Sequence, residues 1–274
     1  MSALLSAKGL IGLTLVVFVG LVAVLSPLFI PEALSTKIDV TARLMPPSLD
    51  HFFGTDQLGR ELFYRVLLGA STSLFIAFSA VALSILLGLP LGVLSGYFAG
   101  WTDHILMRIV DTLLSFPAIL LALAISAVLG PNLRNTIIAI GIAFAPYLAR
   151  IVRGETLKVC SLPYMEAIRS QGASNARIIW RHVLPNIMPP VIVQATISVA
   201  FAILAEAGLS FLGLGTQPPT PSWGLMIQAS RDFLDVAPWT AVVPGIAVAL
   251  TVLGLNMLGD VLRDVLDPTV VFDK

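Results

Sequence analysis

The chain has 274 residues, 57% hydrophobic and 12% charged, with a mean hydropathy of +0.94. A soluble domain of that length needs far more polar surface to cover its core, so the composition excludes one and requires a membrane protein. Lysine plus arginine and aspartate plus glutamate balance at sixteen each, which removes net charge as a sign of nucleic-acid binding, and the single cysteine, Cys160, excludes an internal disulfide framework.

A helix that crosses the hydrocarbon needs about 20 mostly apolar residues. Six such runs are predicted, so the fold class is all-α: a polytopic transmembrane bundle. The first runs from Leu10 to Ile30 behind Lys8. It is long for the apolar part of a signal peptide and no A-x-A-like site follows, so it reads as an uncleaved anchor. The second, Ser71 to Phe98, contains Gly88, Pro90, Gly92 and Gly96, residues that bend a helix or admit another backbone. The third, Ile105 to Leu129, has Pro117 inside it, and Pro131 and Asn132 mark the turn that follows. The fourth, Thr136 to Ala149, is short unless Asn135 and Ile151 flank it in the interface. The fifth and sixth are Ile187 to Gly208 and Ala241 to Leu262.

Between the fourth and fifth runs lie Arg150, Arg153, Lys158, Arg169, Arg177 and Arg181, whereas Arg134 and Arg231 are the basic residues of the neighbouring outer segments. Basic residues stay on the cytoplasmic side, so this loop is expected there and, with six crossings, both termini as well. The stretch 31–70 then faces outward, although it carries Lys37, Arg43, Arg60 and Arg65.

Within the basic loop, the segment from Ser174 to Leu184 is roughly 16 Å long as a helix, about half a bilayer, and cannot span it. Ala176, Ile179, Trp180, Val183 and Leu184 fall on one helical face, with Arg177 and Arg181 on another. Upstream, Ser161 is expected to cap a short helix with Pro163 in its first turn, and Gly172 to end it in a left-handed conformation. Ser174 then caps a second helix that Pro185 ends. Periodicity alone fits equally an amphipathic hairpin lying on lipid headgroups or a handle offered to another protein.

The residues Glu166-Ala167-Ile168, Gly172 and Leu184-Pro185 closely resemble the EAA loop in permease subunits of binding-protein-dependent ABC importers, with Ile168 and His182 departing from the usual residues. His51-Phe52-Phe53-Gly54-Thr55-Asp56-Gln57-Leu58-Gly59-Arg60-Glu61 is similar to the segment before the second span in C-type permeases of dipeptide, oligopeptide and nickel importers, where Glu61, Tyr64 and Ala70 are departures. Glu206 through Gly215, with Pro218-Pro219 and Pro221-Ser222-Trp223-Gly224, is similar to the end of the fifth span and outer loop of that subfamily. The resemblance implies a type I ABC importer permease with Glu166, Ala167, Gly172, Arg177, Leu184 and Pro185 in coupling to an ATPase. Its implied partners are a second, different permease in a heterodimer, two ATP-binding subunits and an extracytoplasmic solute-binding protein. The organisation expected is an anchor and outer segment over 1–70, a permease core over 71–268 and a cytoplasmic tail over 269–274, in a bacterial inner membrane.

Motifs for chemistry are missing from the chain. There is no G-x-x-x-x-G-K-[ST] loop, so no cofactor is expected here and ATP is left to the partner subunits. There is also no G-x-S-x-G or H-E-x-x-H motif, and His51, His104 and His182 are too dispersed for a shared metal site. The chain is therefore expected not to be an enzyme. Charges near the spans are costly and must be interfacial, paired or facing a polar path. Asp111 and Asp260 fall at inner ends and read as interfacial. Glu206, roughly 28 Å along the fifth helix from Ile187, reads either as a boundary or paired carboxylate or as a lining of the outer passage mouth. Gln194, Thr196 and Ser198 either face the path or bond a neighbouring helix. A stand-alone secondary transporter or channel is the alternative, but it would place its coupling charges inside the membrane. A non-transporting scaffold is a third.

Overall fold

The computed structural model describes residues 6–266, so the expected tail at 269–274 and the expected end of the core at 268 lie outside the described residues. Among the described residues, five helices are long and apolar enough to cross a membrane, and a sixth span exists if one bent pair is counted as a crossing. The first, α1 (Ala7–Phe29), starts at Ser6, whose hydroxyl accepts from the amide of Gly9 at 3.2 Å. It packs on the last helix, α11 (Trp239–Leu266), where a Cβ at Gly12 would lie 2.8 Å from Met257 Cβ and one at Gly254 the same distance from Leu15 Cβ. Side chains absent at both positions allow the close crossing.

The segment that follows α1 is ordered rather than a plain connector. A short helix, α2 (Glu32–Thr36), and a 3-10 turn at Val40–Ala42 lead into a loop organised on Asp56, which is buried. One Asp56 oxygen accepts from the amides of Leu58 at 2.8 Å and Arg60 at 3.0 Å, while the other accepts from Arg60 Nε at 2.6 Å. Arg65 lies 3.6 Å from the same carboxylate and donates to the carbonyl of Ser35 at 3.1 Å, tying α2 down. Gly54 and Gly59 have φ of +75° and +72°, which explains the glycines in this motif. The ordered loop also moves the start of the second span. That helix, α3, runs Leu62–Phe98 and so begins well before the expected Ser71.

The third run is not one straight span. It divides into α4 (Gly100–Leu114) and α5 (Ala118–Leu129), bent by 86°. Pro117 has no amide hydrogen to continue the ladder and pushes Phe116 out of the helical region, so the chain turns there. Alone, α5 is about 18 Å long, short of the hydrocarbon thickness.

The fourth run is longer than its apolar count. The helix α6 (Leu133–Cys160) passes through Pro146 and carries Arg150 and Arg153 on its C-terminal half. α3 and α6 form the most extensive helix pair among the described residues. A Cβ at Gly88 would lie 2.6 Å from the Ala145 carbonyl oxygen, one at Gly92 would lie 2.5 Å from that of Ala149, and one at Gly96 would lie 2.8 Å from Thr156 Cβ. These three glycines, four residues apart, form one stripe of α3. The remaining long helix, α9 (Leu184–Phe211), packs on α3, α6 and α11, and a short helix, α10 (Trp223–Ala229), packs on α9, α11 and α3.

Candidate functional site

The expected two-helix loop is present between α6 and α9. Its first helix, α7 (Pro163–Ser170), has Pro163 in the first turn as expected, but its cap residue is Leu162. Ser161 instead donates to the carbonyl of Lys158 at 2.8 Å, finishing α6 rather than starting α7. Gly172 has φ +77°. Its amide donates to the Arg169 carbonyl at 3.0 Å and that of Ala173 to the Ile168 carbonyl at 3.4 Å, the paired bonds of a glycine-terminated helix end. Ser174 accepts from the amide of Arg177 at 3.4 Å and caps α8 (Asn175–Ile178).

Pro185 does not end this second helix. The chain passes from α8 through a single π-helical turn, Ile179–Val183, directly into α9, giving one 37-residue rod from Asn175 to Phe211. Leu184 donates five residues back, to Ile179, and the wider turn accommodates the proline ring that follows. The turn also changes which residues face inward. The buried set is Ile178, Val183, Ile187 and Val191, whereas Trp180, expected on the membrane-domain face, is 74% exposed, and Ala176 is exposed too. A 3.6-residue period carried through a five-residue turn falls out of phase.

Of the residues singled out for coupling, Glu166, Ala167, Gly172, Arg177 and Pro185 are exposed and Leu184 is half-buried. Beneath them, Met165, Ile178 and Val183 join Val93, Leu148, Val152 and Ile187 in one apolar cluster, so the loop is continuous with the nearby ends of α3, α6 and α9. Tyr97 donates to Asn175 at 2.9 Å, and the Arg169 guanidinium lies 5.7 Å from the Tyr97 ring centre.

Gln194 and Ser198 are half-buried and bond each other at 3.3 Å, while Thr196 donates to the carbonyl of Ile192 on its own helix at 3.0 Å. Glu206 is not exposed at a water boundary of this chain. It is fully buried, and its carboxylate accepts from Ser210 at 2.8 Å, Ser222 at 2.9 Å and, weakly, Ser73 at 3.4 Å. Ser73 also accepts from the amide of Trp223 at 3.2 Å, and the Trp223 indole donates to the carbonyl of Val66 at 3.0 Å. The carboxylate therefore joins α3, α9 and the start of α10. Sequence reading missed this cage because Ser73 is 133 residues away.

A second group was also missed. Arg153 donates to Asp103 from Nε at 2.6 Å and from a terminal nitrogen at 2.5 Å, Ser95 donates to the same carboxylate, and Arg150 pairs with Asp111 at 2.5 Å. Asp260 is exposed. Among the described residues no group of His, Cys, Asp or Glu could hold a metal ion, and His51 instead pairs with Glu61 at 2.5 Å.

Residues 88–272 match the family described as binding-protein-dependent transport system inner membrane component. The chain is 44% identical over 259 residues to the dipeptide transport system permease protein DppC of Alkalihalophilus pseudofirmus, covering 94% of this chain and 85% of that one. It is 48% identical over 258 residues to a putative peptide transport system permease protein of Brucella suis, covering 94% and 86%. It is 45% identical over 222 residues to the glutathione transport system permease protein GsiD of Pectobacterium atrosepticum, covering 81% and 74%. Among solved structures, an inward-facing MetNI methionine ABC transporter chain superposes with a TM-score of 0.63 at 19% identity over 75% of this chain and 98% of that one, a likeness of fold. The glycine-ended loop, the bundle that carries it and the match over most of the chain agree: this protein belongs to the family of binding-protein-dependent transport system inner membrane components, as a membrane-embedded ABC importer permease.

Proposed function

We propose that the chain is one of two permease subunits, paired with a different permease, in an importer of small peptides. Its loop and both termini face the cytoplasm, an extracytoplasmic binding protein delivers the solute, and two separate ATPases supply the energy. The chain itself binds no nucleotide. The observation that carries the reading is the loop from Pro163 to Leu184, which presents Glu166, Ala167 and Arg177 outward while Met165, Ile178 and Val183 fix it to three membrane helices. A surface exposed on one side and bonded to the bundle on the other can pass a push from a docked ATPase into the spans. The names of the dipeptide, peptide and glutathione permeases that it resembles support a peptide as solute.

The test is reconstitution of the chain with a second permease, ATPases and binding protein from the same organism, and measurement of ATP-dependent uptake of a dipeptide and of glutathione. Uptake of either that requires the binding protein supports the reading. Uptake without ATPases would favour a stand-alone carrier and overturn it. Sidedness has its own measurement, because Cys160 is the chain's one thiol. Labelling of Cys160 by an impermeant reagent from outside sealed cells would place the loop on the wrong side.

A further inference from the structure

The helix α4 is joined to the molecule by charge more than by apolar packing. Of its fifteen residues only Val110 is buried. Its inner end is held by Asp103, which accepts two bonds from the Arg153 fork and a third from Ser95 of α3. The side chains of Arg153 and Asp103 are 33% and 17% exposed, whereas those of Arg150 and Asp111 are 59% and 55% exposed. A partly sheltered two-pronged pair is the stronger of the two, and the exposed pair adds little. Beside these pairs an open groove of about 980 Å³ separates α4 from α6, lined also by His104, Met107 and Arg108.

The neighbouring body has the opposite construction. α3 and α6 interlock through the glycine stripe, and the apolar cluster under Met165 and Ile178 joins them to the loop. Displacement of the loop therefore moves the inner ends of α3 and α6 with it, because a packed apolar core has few intermediate arrangements. α4 has almost no such packing, so it follows only as far as its ionic joint makes it follow.

We propose that Ser95, Asp103 and Arg153 are positioning residues for transport: their joint carries movement of the loop into α4 and, through the bend at Ser115–Pro117, into α5 of the broken span. The proposal rests on the reading that the loop docks on the ATPases. Segments with little buried apolar surface are the ones that move at low cost, and the groove leaves room for α4 to do so.

The experiment measures solute taken up per ATP hydrolysed by the assembled complex in vesicles. Asp103→Asn is expected to assemble and hydrolyse ATP but to lower that ratio about tenfold, within the range of ordinary coupling energies. The exchange Asp103→Arg with Arg153→Asp is expected to recover most of it. An unchanged ratio in Asp103→Asn overturns the proposal, and so does an exchange that assembles but recovers nothing. A second arm replaces the joint. In a Cys160→Ser background carrying Asp111→Cys with Arg150→Cys, a short bismaleimide fixes α4 to α6. Introduced together with Asp103→Asn, the cross-link takes the place of the ionic joint and should recover most of the lost uptake per ATP, and a cross-linked complex that recovers nothing would overturn the proposal. Failure of the loop reading looks different: ATPase subunits would still co-purify after Glu166→Lys with Gly172→Pro, whatever is found at Asp103.

Discussion

Gly92→Ala probes the contact that makes α3 and α6 one body. A Cβ there would sit 2.5 Å from the Ala149 carbonyl oxygen and 2.6 Å from Val152 Cβ. Carbon atoms in favourable contact are about 3.5–4 Å apart, so the helices must part by about 1 Å at that level. Val93, Leu148, Val152 and Ile187, which share one cluster, would lose contact together. Overpacking of this kind costs about 1–3 kcal/mol, equivalent to a fall in melting temperature of roughly 2–10 °C for a chain of this size. Gly154→Ala is the matched control. It lies on α6 with no atom within 4 Å of the added Cβ, and there alanine should raise helix stability by up to about 1 kcal/mol. Both are read by heating the purified protein with a thiol-reactive dye, since half-buried Cys160 lies beside the same cluster and reports its opening. Equal melting temperatures for the two variants would refute the claim that close backbone approach at Gly92 holds the pair.

At Gly172 the added side chain meets open space, so the cost is that of φ +77° alone. Alanine there should cost about 1–2 kcal/mol, and proline should abolish the turn because it also removes the bond to Arg169. Uptake per ATP should fall from Ala to Val to Pro in complexes that still insert, and normal transport by Gly172→Val would refute the need for a left-handed residue. Glu206→Ala leaves the Ser73, Ser210 and Ser222 hydroxyls without their common acceptor and should cost about 3 kcal/mol or more, with Glu206→Gln milder. Thermal melts of the two variants check this order, and an unaffected Glu206→Ala protein would remove the cage as a structural element.

What could be read from the chain alone was whatever depends on near neighbours. Runs such as Leu10 to Ile30 declare themselves because hydrocarbon tolerates little else, and Pro163, Gly172 and Ser174 because helix ends use local chemistry. The errors came from partners far along the chain. Arg150 and Arg153 made the fourth run look short, but Asp111 and Asp103 lie 39 and 50 residues away and pair with them. Glu206 was placed by its height on a helix, and nothing near it announced a hydroxyl on α3. Pro185 was read by its own preference as a stop, although the π turn before it changes what the backbone at that point requires.

That turn has a bearing on how the family's loop can vary. Because a π turn takes one residue more than the α-helical turn it replaces, deleting one residue between Ile179 and Val183 would let the rod close into regular helix with everything before it keeping nearly its present heading. The same deletion in an uninterrupted stretch of α9 would rotate Arg177 and the glycine turn by about 100° about the axis. The wide turn thus acts as slack in the rod, a place where the count of residues can change by one without re-aiming the loop.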